Sequence, residues 1–241
     1  MNDNDSLNLP AVLMCGGLGT RLRPYTYVIP KPMFPIGERP ILELLLARLR
    51  KAGIAEIYVS LGYKATLIES YFGDGSQYGV HLHYVREDQP LGTAGALSLL
   101  RERLAGRPFL MMNGDLVTRL DFRAMYAYHI SRNAAITVGV KPYTVSIPYG
   151  VVDDSDGYVT QLREKPTNTV NINAGIYLIS PAGLALVPDS GRYDATQLIQ
   201  AAMDGGLTVC SYLITEYWMD IGRFEDYHQA NADAAEWQDD D

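Results

Sequence analysis

The sequence predicts an α/β protein, a single doubly wound, mostly parallel, Rossmann-like sheet with helices on both faces and a small β-rich portion. Three observations predict it. From residue 11 to about 140, short apolar or alternating runs that suit strands take turns with helical stripes. A glycine cluster, Gly16-Gly17-Leu18-Gly19, directly follows the first apolar run, at the carboxyl end of a strand where open α/β sheets collect their ligands. The chain has 241 residues, 47% hydrophobic and 20% charged, enough for one good core and ordinary for a globular domain.

Each element has its own signal. Residues 11–15 are a continuous apolar run bounded by glycine and read as a buried strand. Leucines at 42, 45, 46 and 49 make a helical stripe over 40–51, with Pro40 in the first turn and Gly53 as the stop. A strand at 54–61 and a short helix at 64–72 ending at Gly73 follow, then an alternating strand at 80–86. The stretch 93–104 is helical and 109–112 is a short buried strand. A helix at 121–131 has Asp121 as its N-cap, and 134–140 is again a strand. In the second half, 149–152 and 158–164 flank Asp153-Asp154-Ser155-Asp156-Gly157 as a hairpin. Strands at 172–179 and 207–214 are separated by a helix at 196–203, and a helix at 223–236 closes the chain. One domain is expected over 10–236, between a flexible acidic segment at 1–9 and an acidic tail at 237–241.

The formal net charge of −8 misleads, because nine of the 28 acids lie in the two ends, where there is no Lys or Arg. Between residues 11 and 223, 19 acids face 20 bases. A broad nucleic-acid-binding face is therefore not expected, whereas a small basic phosphate pocket is compatible with this balance. No apolar run approaches the roughly 20 residues of a membrane span, and the polar opening MNDNDSLNLP is not a signal peptide. Cys15 and Cys210 lack metal-ligand spacing and read as small packing residues of a reducing, cytoplasmic setting.

The chemistry concentrates in Met14-Cys15-Gly16-Gly17-Leu18-Gly19-Thr20-Arg21-Leu22-Arg23-Pro24, with Lys31-Pro32 downstream. Three glycines in four residues let several N–H groups converge on one anion, and Arg21, Arg23 and Lys31 add cations. Phosphate matches such a nest. Two common phosphate motifs fail here. No G-x-x-x-x-G-K-[ST] run occurs, and a G-x-G-x-x-G reading puts Leu22 where the third glycine belongs. Asp115, after the apolar run 110–112, sits where a carboxylate could hold Mg²⁺ against a phosphate or simply cap a turn.

The pattern G-G-x-G-T-R-L-x-P with K-P downstream resembles the sugar-1-phosphate nucleotidylyltransferases, and the resemblance runs from about residue 10 to 230. Its core is most similar to the subgroup of sugar-phosphate guanylyltransferases linked to CBS pairs. The family's reaction joins an NTP to a sugar 1-phosphate with loss of pyrophosphate. On the matching positions, the resemblance implies Arg21, Lys31 and Asp115 as catalytic residues, with Asp115 and Asp220 (in Trp218-Met219-Asp220-Ile221-Gly222) holding Mg²⁺. It implies nucleotide binding by Gly16, Gly17, Gly19, Thr20, Gln89, Gly92 and Thr93, where the small residues of 92–96 let a flat base approach the backbone. Sugar-phosphate binding falls to Tyr149, Gly150, Glu164, Lys165, Asn173 and Gly175.

The wording of the Leu91–Leu97 loop looks more like guanylyl- than thymidylyltransferases, which favours GTP. The subgroup resemblance favours an amino-sugar 1-phosphate. The partners expected are these small molecules, with no nucleic acid and no membrane, and a homodimer is the candidate assembly. Two rivals are a cytidylyltransferase acting on a non-sugar phosphate and a silent regulatory subunit that binds sugar nucleotides. The presence of Asp115, Asp220, Arg21 and Lys31 weighs against the second.

Overall fold

The computed structural model of the protein describes residues 7–234. The chain opens with β1 (Ala11–Met14), three short 3-10 turns, the small β2 (Pro35–Ile36) and β3 (Arg39–Pro40), and helix α1 (Ile41–Lys51). Next come β4 (Glu56–Leu61), α2 (Ala65–Phe72), β5 (His81–Arg86), α3 (Gly92–Gly95), α4 (Leu97–Leu104) and β6 (Phe109–Asn113). Then follow β7 (Leu116–Thr118), α5 (Phe122–Ser131), β8 (Ile136–Ser146), β9 (Val151–Ser155), β10 (Tyr158–Arg163) and β11 (Thr167–Ile179). The chain closes with α6 (Pro181–Leu184), α7 (Ala195–Asp204), β12 (Val209–Leu213), β13 (Trp218–Asp220) and α8 (Phe224–Ala234).

Seven strands form the central sheet in the order β12-β8-β11-β6-β1-β4-β5. Every pairing is parallel except those of β11 with β6 and β8, so β11 alone runs against the rest. The mostly parallel, doubly wound sheet is thus borne out. Side chains of β1 alternate between two cores, as strand geometry requires. Ala11 and Leu13 join Leu42, Leu45, Leu49, Ile68 and Phe72 from α1 and α2 on one face. Val12 joins Leu97, Leu100, Leu104, Leu198 and Ala202 from α4 and α7 on the other. A third cluster of Leu22, Phe34, Ile36, Ile41, Val117, Ile221 and Ala230 lies apart from the sheet and binds the 20–41 segment to β7, β13 and α8. No helix among the described residues is long and apolar enough to cross a membrane.

The structure departs from the sequence reading at several places. The helix expected at 93–104 is interrupted at Ala96 and splits into α3 and α4. The strands expected at 134–140 and 172–179 are parts of longer strands whose outer halves pair only with each other, Ser146 with Thr167 through Lys141 with Ile172. These outer halves bury little, so no apolar alternation marked them. The hairpin is tighter than expected. Asp153, Asp154 and Ser155 belong to β9, and only Asp156 (φ 52°) and Gly157 (φ 83°) turn, both in the left-handed region that a two-residue loop needs. Of the segment 1–9, Leu9 packs into the core and the Leu7 N–H donates to the Ala52 carbonyl at 3.3 Å. Residues 1–6 of that segment, the tail 237–241 and the end of the closing helix lie outside the described residues.

Candidate active site

Parallel neighbours bring their loops to one edge. Beyond β1 the Cys15 N–H still donates to the Ser60 carbonyl (2.8 Å), the Gly114 N–H donates to the Met14 carbonyl (3.0 Å), and the Glu87 N–H donates to the Leu61 carbonyl (2.8 Å). The loops after β1, β4, β5 and β6 are therefore laced together at the sheet's carboxyl edge. A cavity of about 350 Å³ opens there, lined by Gly16, Gly17, Gly19, Thr20 and Arg21 on one side and by Gly92 and Thr93 on another, with Lys31 and Asp115 also in its wall. Gly19 adopts φ +58°, and its carbonyl accepts from Thr26 Oγ1 at 3.0 Å, so the turn is fixed from behind by the next loop.

The charged centre is built from three distant parts of the chain. Antiparallel pairing of β7 with β13 sets Asp220 opposite Leu116, next to Asp115, and the Ile221 N–H donates to the Asp115 carbonyl at 3.1 Å. Lys31, buried on a 3-10 turn, reaches both carboxylates. Its Nζ donates to Asp115 Oδ2 and, at 3.3 Å, to Asp220 Oδ1. Asp115 Oδ1 is buried with no hydrogen-bond partner. Burial pushes the Asp115 carboxyl above the usual carboxylate range, and the Asp220 charge adds to that, while the Lys31 ammonium works against both. Arg21 lies over Gly222, where a Cβ would stand 3.2 Å from its Nη1, so its guanidinium joins the same centre. Arg23 instead stacks on Tyr27, its Cζ 4.9 Å from the ring centroid.

A single lysine bridging two carboxylates, one with an unused buried oxygen, suits a divalent cation plus phosphate. The ion would gain Asp115 and Asp220 as carboxylate ligands, and a bound phosphate would give Lys31 and Arg21 a counter-anion. No cluster of three or more metal-ligating side chains occurs among the described residues. A magnesium ion held by two carboxylates and substrate oxygens needs none.

Three cavity residues escaped the sequence reading. The Glu87 carboxylate lines the cavity, accepting from Ser60 Oγ through Oε1 (2.6 Å) and from the Leu91 N–H through Oε2 (2.9 Å). Arg192 and Asp194 enter the lining from the turn before α7. The sequence does hold a signal for Asp194, an N-cap with Gln197 three residues on. Gln89, by contrast, is exposed and outside the lining.

The six expected sugar-side residues fall into two groups. Gly175 lies against the Asn113 amide, which lines the cavity, and its N–H donates to Asn173 Oδ1 at 3.0 Å. Tyr149, Gly150, Glu164 and Lys165 sit where the β8/β11 arm meets the β9/β10 hairpin, all exposed. Lys165 and Glu164 stand 3.9 Å apart, and the Glu164 carboxylate borders Gly150. None of these four lines the cavity.

A family model described as nucleotidyl transferase matches residues 10–236. The chain is 34% identical to a UTP–glucose-1-phosphate uridylyltransferase of Synechocystis sp., covering 92% of this chain but 62% of that protein. It is 33% identical to a D-glycero-alpha-D-manno-heptose 1-phosphate guanylyltransferase of Aneurinibacillus thermoaerophilus, covering 92% of this chain and 96% of that one. Among solved structures, HddC from Yersinia pseudotuberculosis complexed with GMP-PN matches with a TM-score of 0.73 at 26% identity, covering 94% of this chain and 99% of that one.

Proposed function

The chain belongs to the nucleotidyl transferase family, and on that footing we propose that it makes a nucleotide sugar from an NTP and a sugar 1-phosphate. A sugar-phosphate oxygen forms a bond to the α-phosphorus of the NTP as the bond to the β-phosphate breaks, and pyrophosphate departs with the electron pair. The attacking oxygen is already anionic, so no side-chain nucleophile is needed. What the reaction needs is alignment and positive charge. The observation that carries the reading is the buried Lys31 ammonium between Asp115 and Asp220, beside a cavity walled by the glycine turn.

The residues divide the work. Gly16, Gly17, Gly19 and Thr20 cradle the triphosphate with backbone N–H groups, and Arg21 neutralises the departing pyrophosphate. Lys31 sits at the reacting phosphate. Asp115 and Asp220 would hold Mg²⁺, whose charge, when bound, stabilises the phosphoryl oxygens. Gly92 and Thr93 border the base, with Gln89 kept as an outer contact. Glu164 and Lys165, with Tyr149, Gly150, Asn173 and Gly175, receive the sugar phosphate.

Glu87 favours GTP. A carboxylate offers only acceptors. Guanine presents two adjacent donors on its pairing edge, whereas uracil and thymine present one donor between two carbonyls. With NTPs as co-substrate, the cytoplasm is the place of work. The decisive experiment measures pyrophosphate release across several NTPs and the 1-phosphates of glucose, glucosamine, mannose and a heptose, with Mg²⁺ and with EDTA. The expected result is Mg²⁺-dependent release with GTP and one of these sugars. Silence across the grid, with nucleotide still bound, would move the reading to a regulatory subunit.

A further inference from the structure

In sequence, Gly92 and Gly95 read as small residues that let a base lie against the backbone. Their open sides face elsewhere. A Cβ on Gly92, at φ +82°, would stand 2.5 Å from Asp194 Oδ1 and 2.7 Å from the Tyr193 carbonyl oxygen. On Gly95 it would stand 3.1 Å from the Gly191 carbonyl oxygen and 3.3 Å from the Tyr193 nitrogen. Both glycines receive the turn 191–194, which precedes α7.

Four hydrogen bonds close this contact. The Tyr193 N–H donates to the Leu91 carbonyl (2.8 Å), and the Ala94 N–H donates to the Tyr193 carbonyl (3.0 Å). The Thr93 N–H donates to Asp194 Oδ1 (3.1 Å), and Thr93 Oγ1 accepts from the Ala195 N–H (2.8 Å). Thr93 and the first residues of α7 thus cap each other. The other end of the 87–92 loop is tied by Glu87 to the Leu91 N–H and to Ser60. Of these anchors, the Asp194 bond is the one made by a charged side chain to a residue that itself lines the cavity, and such bonds are the stronger kind.

We propose that Asp194 is a positioning residue for the nucleotide. By holding Thr93 it sets the distance between the 91–95 stretch and the glycine turn across the cavity, and so the affinity for NTP. The inference rests on the reading of this cavity as a nucleotide site. Asp194 also caps α7, with Gln197 Oε1 accepting from its N–H at 2.9 Å. The test must therefore separate capping from positioning.

Three variants do so. Asp194→Ser keeps a good N-cap but is too short to reach the Thr93 N–H. Asp194→Asn keeps both the cap and an acceptor oxygen. Gln197→Ala weakens the capping box and leaves Thr93 alone. GTP binding is measured by calorimetry without sugar phosphate, beside steady-state kinetics and Tm. Asp194→Ser should weaken GTP binding and raise the GTP KM by about tenfold, with kcat and the sugar-phosphate KM little changed. Asp194→Asn, which keeps the acceptor but loses the charge, should fall between wild type and Asp194→Ser, and Gln197→Ala should lower Tm with GTP affinity intact. Unchanged GTP affinity in Asp194→Ser overturns the proposal, as does equal weakening in all three variants. A wild-type chain that binds GTP without turnover defeats the proposed reaction while the calorimetry still judges Asp194. One that binds no NTP overturns both.

Discussion

Lys31 is held by charge on two sides, and its removal has a definite sign. With methionine there, the stem still fills its buried channel, but Asp115 and Asp220 face each other without a cation. Asp115 Oδ1 already lacks a partner, so the carboxyl shifts further toward its neutral form. Lys31→Met should lower kcat by roughly 10²–10³ and lower Tm as well, because it leaves the buried Asp115 without its counter-charge. A kcat within a fewfold of wild type would remove Lys31 from the reacting centre. Glu87 makes a second residue-scale prediction. Glu87→Gln adds a donor to an acceptor-only edge, with Ser60 Oγ free to accept from the new amide. The preference for GTP over UTP and dTTP should fall by about tenfold or more, read as the ratio of kcat/KM values. An unchanged ratio would separate Glu87 from the base.

Among elements, the short β7/β13 pair does the most for the site, because it places Asp220 beside Asp115. It is held from below by Ile221, which is fully buried among Leu22, Phe34 and Val117. Ile221→Ala should cost about 2–4 kcal/mol, and kcat should fall as well, because Asp220 is its neighbour. Val159→Ala on exposed β10 should stay within about 0.5 kcal/mol of wild type in urea melts. Equal effects in the two variants would mean that β13 is not anchored this way. This pair also shows where the sequence was legible and where it was not. The glycine turn, Arg21 and the strand that precedes them announce themselves locally, through apolar runs and turn residues. A three-residue strand carries no periodicity, so Trp218-Met219-Asp220 could be joined to Asp115 only through family resemblance. Glu87 and Asp194 were missed for a related reason. Their roles come from partners at Ser60 and Thr93, and spacing along the chain cannot reveal such contacts. Gly92 was noticed, but for the base and not for the Asp194 turn that fills its open side.

For the whole molecule, one buried side chain makes a contribution of definite sign to the response to acid. His129, on α5, reaches Thr137 on β8 and Ser180 just after β11, with both ring nitrogens at 2.8 Å from a hydroxyl. Ser180 Oγ donates its own proton to the Ala134 carbonyl (2.8 Å), so it must accept from the His129 Nε2–H. Nδ1 is then left to accept from the Thr137 hydroxyl. The bonding therefore fixes the tautomer of the neutral ring, and burial, which disfavours the charged form, holds the His129 pKa down to about 4 from an ordinary value of 6.5. Above pH 6.5 neither the folded nor the unfolded chain protonates this ring, and its contribution to stability is complete. Below it the unfolded chain takes a proton that the folded chain refuses, so stability falls with falling pH until about 4, by at most about 3 kcal/mol. The carboxylates of Glu56, Glu69 and Asp74, whose pKa values are lowered, lose their contributions only below about 4.5. Between about pH 7 and 4.5 the buried Asp115 carboxyl, held above the usual carboxylate range, acts in the opposite sense, so His129 is read from the difference in urea-unfolding slope between wild type and His129→Gln. Wild type should lose more stability across that window than the variant does. His129→Gln, whose amide can serve both hydroxyls and does not titrate, should flatten the slope even if its stability at neutral pH is lower. Parallel slopes in the two proteins would show that some other group governs the acid response.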